Sequence, residues 1–211
     1  MNKWDIKTII KGLESKKGAK AHQLMLPETR VLEEAPKEAK KAAVMLLIYP
    51  KENVLHTVFI QRSVYKGAHS GQISFPGGMH ECGDASLLHT AIRETFEEIG
   101  VLVTNQNIIG CLTPLYISVS KIKVYPYVAY IEPCCAFNTD TKEVVHVIET
   151  PISMFFEPET RQEGIVLVGD TQINVPFFAV NDKKIWGATS MILSEFIDCM
   201  NSVSTENNCC S

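Results

Sequence analysis

Residues 86–100 constrain this chain more tightly than any other stretch. Leu87, Leu88, Ala91, Ile92, Thr95, Phe96 and Ile99 recur with a 3.6-residue period, which assigns them to one face of an amphipathic helix over 86–99. Ser86 or Asp84 can cap its start, and Gly100 can end it in the left-handed conformation. Such a helix needs an apolar surface to lie on. The runs 42–49 and 55–61, separated by Pro50, Lys51, Glu52 and Asn53, supply one as two strands joined by a short turn.

Further strand-like runs rich in β-branched residues and Tyr fall at 108–112, 124–131, 164–168 and 172–178. Residues 151–156 read as a single helical turn, and 188–200 repeat the helical period through Met191, Ile192, Phe196 and Ile197. Hairpins and helices mix without βαβ alternation, so the expected class is α+β, a mixed sheet between helices. Trp4, Ile6, Ile9, Ile10 and Leu13 predict a short amphipathic helix at the start, followed by an extended arm to residue 41. The expected organisation is an N-terminal helix and basic arm over 1–41, a globular domain over 42–200 and a flexible tail over 201–211. Phe75-Pro76-Gly77-Gly78 reads as a turn that continues neither a helix nor a strand.

The chemistry gathers at the end of the first long helix. At 100° per residue Glu94, Glu97 and Glu98 fall within one arc of about 100°, so three carboxylates are expected to converge. They do so where the helix dipole is negative and each acid costs a few tenths of a kcal/mol to about 1 kcal/mol. One of the three is accounted for by pairing of Arg93 with Glu97 at i, i+4 on a solvated face. A divalent cation among them removes both the repulsion and the dipole cost, and hard Mg²⁺ favours such oxygens. Gly77-Gly78, with no side chains, lets backbone carbonyls approach such an ion.

Charge narrows the partners. The chain has 24 acids and 20 bases. Residues 1–41 hold ten Lys/Arg against six Asp/Glu, so the remainder, with ten against eighteen, is acidic. That argues against a nucleic-acid partner held by bulk electrostatics and suits divalent cations. The longest apolar run has eight residues against the eighteen or so a spanning helix requires, and no signal peptide is recognisable, so no membrane partner and a cytoplasmic location are expected. Seven cysteines, none in a Cys-x-x-Cys spacing, read as thiols in a reducing compartment.

The Gly-Gly turn, Asp84 and the Arg93-Glu94-x-x-Glu97-Glu98-x-Gly100 helix resemble the Nudix box, the signature of hydrolases that cleave a nucleoside diphosphate linked to another group. Arg62-Ser63, Gly71 and Phe75 to Gly78 match the coenzyme A pyrophosphatase branch, and similarity runs through 120–126, 138–143 and 185–187, covering roughly residues 42–200. Where that branch carries an Arg four residues after Ser63, this chain has Gly67, with Lys66 beside it.

The resemblance implies a Nudix-type α/β/α sandwich and a Mg²⁺- or Mn²⁺-dependent diphosphatase. Its substrate would be a small nucleoside diphosphate compound, coenzyme A or a derivative, and the assembly could be a homodimer. The rivals are the same chemistry on ADP-ribose, dinucleotides or nucleoside triphosphates, and a Nudix module that senses a nucleotide without cleaving it. By the same resemblance Glu94, Glu97, Glu98 and a carbonyl of the Gly turn, at Gly78, are the metal ligands. Arg93 orients carboxylates, and the general base is Glu94, Glu97 or a later-loop acid such as Glu143. Arg62, Lys66, Gly71 and Phe75 are the expected substrate-binding residues. His69 and Trp186 read as an ordinary loop histidine and a core residue.

Overall fold

The computed structural model describes residues 5–15, 18–28, 30–63, 71–132, 136–168 and 171–208. Helix α1 is Ile6–Glu14, capped by Asp5, and helix α2 is Ala19–Gln23, a turn of helix inside what the sequence presented as an extended arm. Strands β1 (Lys40–Lys51) and β2 (Val54–Arg62) form an antiparallel hairpin. Glu52 and Asn53 at its tip both have positive φ, 51° and 63°, the two-residue turn whose twist matches that of paired strands.

Two short strands follow, β3 (Ile73–Ser74) and β4 (Gly77–Met79). Strand β4 corrects the reading of Gly77-Gly78 as unable to continue a strand. It pairs antiparallel with β1 through Val44 and Gly77, Ala43 and Gly78, and Ala42 and Met79. Glycine is what permits this. At Gly77 φ is 149°, and an added Cβ would run into the Ala43 carbonyl and the Val44 backbone, so only a residue without a side chain can lie this close to β1.

Helix α3 is Leu87–Ile99, with the Ser86 hydroxyl accepting from His89 N–H and Gly100 (φ 71°) closing it in the left-handed conformation. Then come β5 (Ile108–Cys111), β6 (Leu115–Ile117), β7 (Ile122–Tyr130) and β8 (Val144–Pro151). A 3₁₀ stretch over Ile152–Phe156 precedes β9 (Arg161–Val168), β10 (Thr171–Val180) and β11 (Lys183–Trp186). Helix α4, Ala188–Asn208, runs past the Met200 end expected for it, so 201–208, read as flexible tail, are the helix's last turns.

One sheet has the order β3-β2-β1-β7-β5, with β4 and β8 paired to β1 and β2 and β6 to β7; only β1 and β7 run parallel. Strands β9 to β11 make a second, antiparallel sheet. Strand β1 is buried on both faces, which explains its continuous apolar run. Ala43, Met45, Leu47 and Tyr49 pack with Ala91 and Ile99 of α3. Ala42, Leu46 and Ile48 face Ile9 and Leu13 of α1 and Met191, Ile192 and Phe196 of α4. Helices thus cover both faces of a mixed sheet, the expected α/β/α sandwich. Among the described residues no helix is long and apolar enough to cross a membrane.

Candidate active site

The site lies where α3, β4 and the end of β2 meet. The periodicity assigns Phe96 to the apolar face of α3 and groups Glu98 with Glu94 and Glu97 in an acidic arc. The structure reverses the pair: Phe96 is 53% exposed and Glu98 is 1% exposed. The reason is long-range. Gly77 N–H donates to Glu98 Oε2 at 2.7 Å, and Arg62 Nη1 donates to Glu98 Oε1 at 3.2 Å. A buried carboxylate is tolerable with such partners, whereas no partner asks Phe96 to turn inward. Burial still pushes the Glu98 carboxyl up to about 8, against the lowering influence of Arg62 and the Gly77 amide.

Glu94 lies one turn back and is mostly shielded, its pKa also raised by burial. An added Cβ on Gly78 would overlap the Glu94 carboxylate, so this glycine leaves room for the acid beside the β4 backbone. Glu97 is about half exposed. Arg93 joins them: Nη1 is 2.8 Å from Glu97 Oε2 and 3.0 Å from Glu94 Oε1. Its other edge is held in two-pronged fashion by Asp84, with Nε to Oδ1 at 2.9 Å and Nη2 to Oδ2 at 3.0 Å. Thr90 Oγ1 donates to the same Asp84 oxygen at 2.8 Å. The Arg93 guanidinium holds the Asp84 carboxyl well below the ordinary carboxylate range, and Asp84 in turn raises Arg93. Asp84 is therefore the anchor of Arg93, while Ser86 caps the helix.

Among the described residues no three His, Cys, Asp or Glu side chains form a ready-made metal cage, and the acids here are paired with Arg93 and Arg62. The donor chemistry nevertheless fits a hard divalent cation. Three carboxylates from the end of α3 and the β4 backbone at Gly78 are all oxygen donors, and four acids, Asp84 included, meet only two guanidiniums.

Of the other expected site residues, Glu143 comes close. Its backbone carbonyl accepts from Ser63 N–H at 2.9 Å, and its charge is among the influences that raise both Glu94 and Glu98. Arg62, read as a substrate-binding cation, is directed at Glu98 and, at 3.4 Å, at the Gly77 carbonyl. Phe75 is buried, its ring 4.8 Å from that of Phe59, with one edge lining a cavity. Gly71 adopts φ 68°, and its N–H reaches the Ser63 carbonyl at 3.3 Å. Trp186, read as core, is half-buried beside the same cavity. Lys66, Gly67 and His69 lie outside the described residues, as do the cysteine pairs 134–135 and 209–210. Reasoning from sequence missed the Arg62–Glu98 pair and the Gly77 amide. Only the position of Arg62 at the end of a strand that enters the same signature hinted at either.

The NUDIX domain family matches residues 39–163, a span that contains Arg62, Gly77, Gly78, Asp84, the α3 acids with Arg93, and Glu143. The chain belongs to the Nudix family. It is a Nudix hydrolase, of a family whose members act on small nucleoside diphosphate substrates with divalent metal ions. The mitochondrial coenzyme A diphosphatase NUDT8 of Mus musculus is 28% identical over 186 residues, covering 86% of each chain. Its Homo sapiens counterpart is 30% identical over 157 residues, 72% of this chain and 65% of that one. The Nudix hydrolase NudL of Photorhabdus laumondii is 31% identical over 158 residues, 74% of this chain and 82% of that one. These relatives set it in the coenzyme A pyrophosphatase-like branch of the Nudix superfamily. A MutT/nudix family protein from Enterococcus faecalis shares the fold, with TM-score 0.55, 18% identity and coverage of 83% of this chain and 66% of that one.

Proposed function

We propose that this Nudix hydrolase is a Mg²⁺- or Mn²⁺-dependent diphosphatase that cleaves coenzyme A or its derivatives to 3′,5′-ADP and a 4′-phosphopantetheine product. The observation that carries the reading is the buried Glu98 carboxylate aimed by the Gly77 amide and Arg62, beside Glu94 seated against Gly78. The names of the mouse and human relatives support the substrate, as do Arg62-Ser63, Gly71 and Phe75 to Gly78.

Glu94, Glu97, Glu98 and the Gly78 carbonyl would hold the cation, which when bound neutralises phosphate charge and makes water a better nucleophile. Arg93, fixed by Asp84, positions Glu94 and Glu97. Arg62 holds Glu98 toward the β4 turn. Glu143 is our candidate to take the proton of the attacking water, because among the described residues no cation pairs with its carboxylate. Lys66 and Gly71 would meet the substrate, and Phe75 would border it.

The test is incubation with a panel of coenzyme A, dephospho-coenzyme A, ADP-ribose, dinucleotides and nucleoside triphosphates plus Mg²⁺ or Mn²⁺, with products identified by mass. Coenzyme A compounds split at the diphosphate are expected. Turnover of ADP-ribose alone would overturn the substrate, and no turnover of any would favour a nucleotide sensor. We keep the cytoplasmic placement as part of this reading, to be checked by fractionation of the full chain, and the homodimer by light scattering.

A further inference from the structure

A cavity of about 330 Å³ begins at Gly77 and Gly78, on the turn against which Glu94 sits. Its walls include Phe75 and Met79 around the turn, Ser118 and Val119 between β6 and β7, Val175 and Ile192 from β10 and α4, and Met25 to Pro27 with Arg30 to Glu33 of the N-terminal segment. That last wall lies outside the 39–163 span of the family domain. It is also firmly attached. Glu195 on α4 is wholly buried and accepts from Gly18 N–H at 3.2 Å, Thr113 N–H at 3.0 Å and Thr113 Oγ1 at 2.6 Å, with His22 Nε2 at 2.9 Å. Each oxygen of that carboxylate holds one end of the segment Gly18–His22, which leads directly into Met25.

We propose that this N-terminal segment, positioned by Glu195, is the specificity wall of the active site, and that the cavity takes the neutral, apolar-tailed arm of the substrate, the half that carries no nucleotide. The proposal rests on the coenzyme A reading above and names which half of such a substrate the enclosed space accepts. Size supports it, since small-molecule pockets run roughly 300–1,000 Å³ and this one, at about 330 Å³, lies at the lower end. Charge supports it too. Among the described residues lining it only Arg30, Arg62 and Glu33 are charged, and Arg62 is directed at Glu98, so a nucleotide bearing several phosphates would be desolvated there with Arg30 alone against its charge. Ser74 and Ser118 offer polar atoms along the wall for the amides of a pantetheine chain, and Val31, Val119 and Met79, 78%, 56% and 37% exposed, rim the opening with apolar surface. An S-acyl group on the far end of the arm would cover that rim.

Two measurements test this separately from turnover. Calorimetric titration with S-acetyl-, S-butyryl- and S-hexanoylpantetheine, which have no diphosphate, should show affinity rising up to about fourfold per methylene buried. Because Val31 is so exposed, Val31→Asp should fold normally and flatten that series; Ala188→Phe, which enlarges a partly buried side chain lining the cavity, should abolish it. Kinetics should show the kcat/KM ratio of hexanoyl-coenzyme A to coenzyme A falling about tenfold or more in both variants, chiefly through KM. In His22→Ala, which loosens the Glu195 fastening, the ratio should fall likewise, whereas a merely structural role would lower both substrates together. No binding of the acylpantetheines, or the same chain-length series in wild type and Val31→Asp, overturns the proposal even if coenzyme A is hydrolysed. The expected series without hydrolysis of any coenzyme A compound overturns the catalytic reading and leaves the pocket standing.

Discussion

Glu98→Gln separates a chemical role for the α3 acids from a structural one. In the wild type the Glu98 carboxylate accepts one hydrogen bond from Gly77 N–H and one from Arg62. The amide oxygen of Gln can keep the first, but its NH₂ then faces the Arg62 donors. Losing that charge-assisted bond costs about 1.5–3 kcal/mol. The variant also no longer buries an acid, and the desolvation cost of an ion inside a protein is several kcal/mol, so the two changes largely offset. The net change in stability should stay within about 2 kcal/mol, or under about 8 °C in Tm for a chain of this size.

Activity should respond quite differently. An amide carries no charge to present to a cation, so turnover of the best diphosphate substrate should fall at least about a hundredfold, or about 2.7 kcal/mol of transition-state stabilisation. Circular-dichroism melting and turnover at saturating Mg²⁺ read the two effects independently. A variant that fails to fold would show Glu98 to be a structural acid. A folded variant within about tenfold of wild-type activity would remove it from the chemistry.

Gly78→Ala should lower turnover about tenfold or more with the fold kept, since the new Cβ displaces the flexible Glu94 carboxylate; unchanged kinetics would show that the seating of Glu94 on β4 is incidental. Mg²⁺ or Mn²⁺ at a hundred times its Kd should stabilise the wild type by about 2.7 kcal/mol and Glu98→Gln by less; equal Tm shifts would take the cation away from α3. Asp84→Asn, which loses the two-pronged grip on Arg93, should cost about 1.5–3 kcal/mol at neutral pH. Because the folded-state pKa of Asp84 is depressed, that contribution is complete above its ordinary value of 3.8 and is lost as the pH falls through the lower folded-state value. Wild type and variant should therefore converge in stability in strong acid, as followed by pH-dependent melting.

What was legible in the sequence was local. The 3.6-residue period, Ser86 and Gly100 gave α3 and its ends, because capping and propensity act within one turn. The apolar run of β1 and the turn at Pro50–Asn53 gave the central hairpin for the same reason. What escaped was set by residues distant in the chain. Glu98 turns inward because its partners come from 21 and 36 residues upstream, so no helical wheel drawn on α3 alone can place it. Strand β4 looked like a loop because two glycines have no intrinsic strand preference, and only the surface of β1 makes them one. Strand β8 was missed altogether: exposed His146 and half-buried Glu149 break its apolar run, yet pairing with β2 and the bonds from Lys51 and Tyr49 to Glu149 secure it. The arm was read as extended because its Lys-, Glu- and Ala-rich stretch has no strong period, while Met25 and the Glu195 fastening tie it to the core.

The same division explains why the chemistry sits where it does. Local signals place three acids on α3, but they become a site only because β4, closing on β1 through glycines, brings an amide to Glu98 and a side-chain-free backbone to Glu94. A substitution that weakens β1–β4 pairing without touching an acid should therefore impair catalysis nearly as much as removing one. Gly77→Ala is that substitution, since its Cβ collides with β1 backbone rather than with a movable side chain. If Gly77→Ala kept wild-type turnover, the Gly77 amide would have no part in aiming Glu98, and the architecture argued for the site would fail at its central contact.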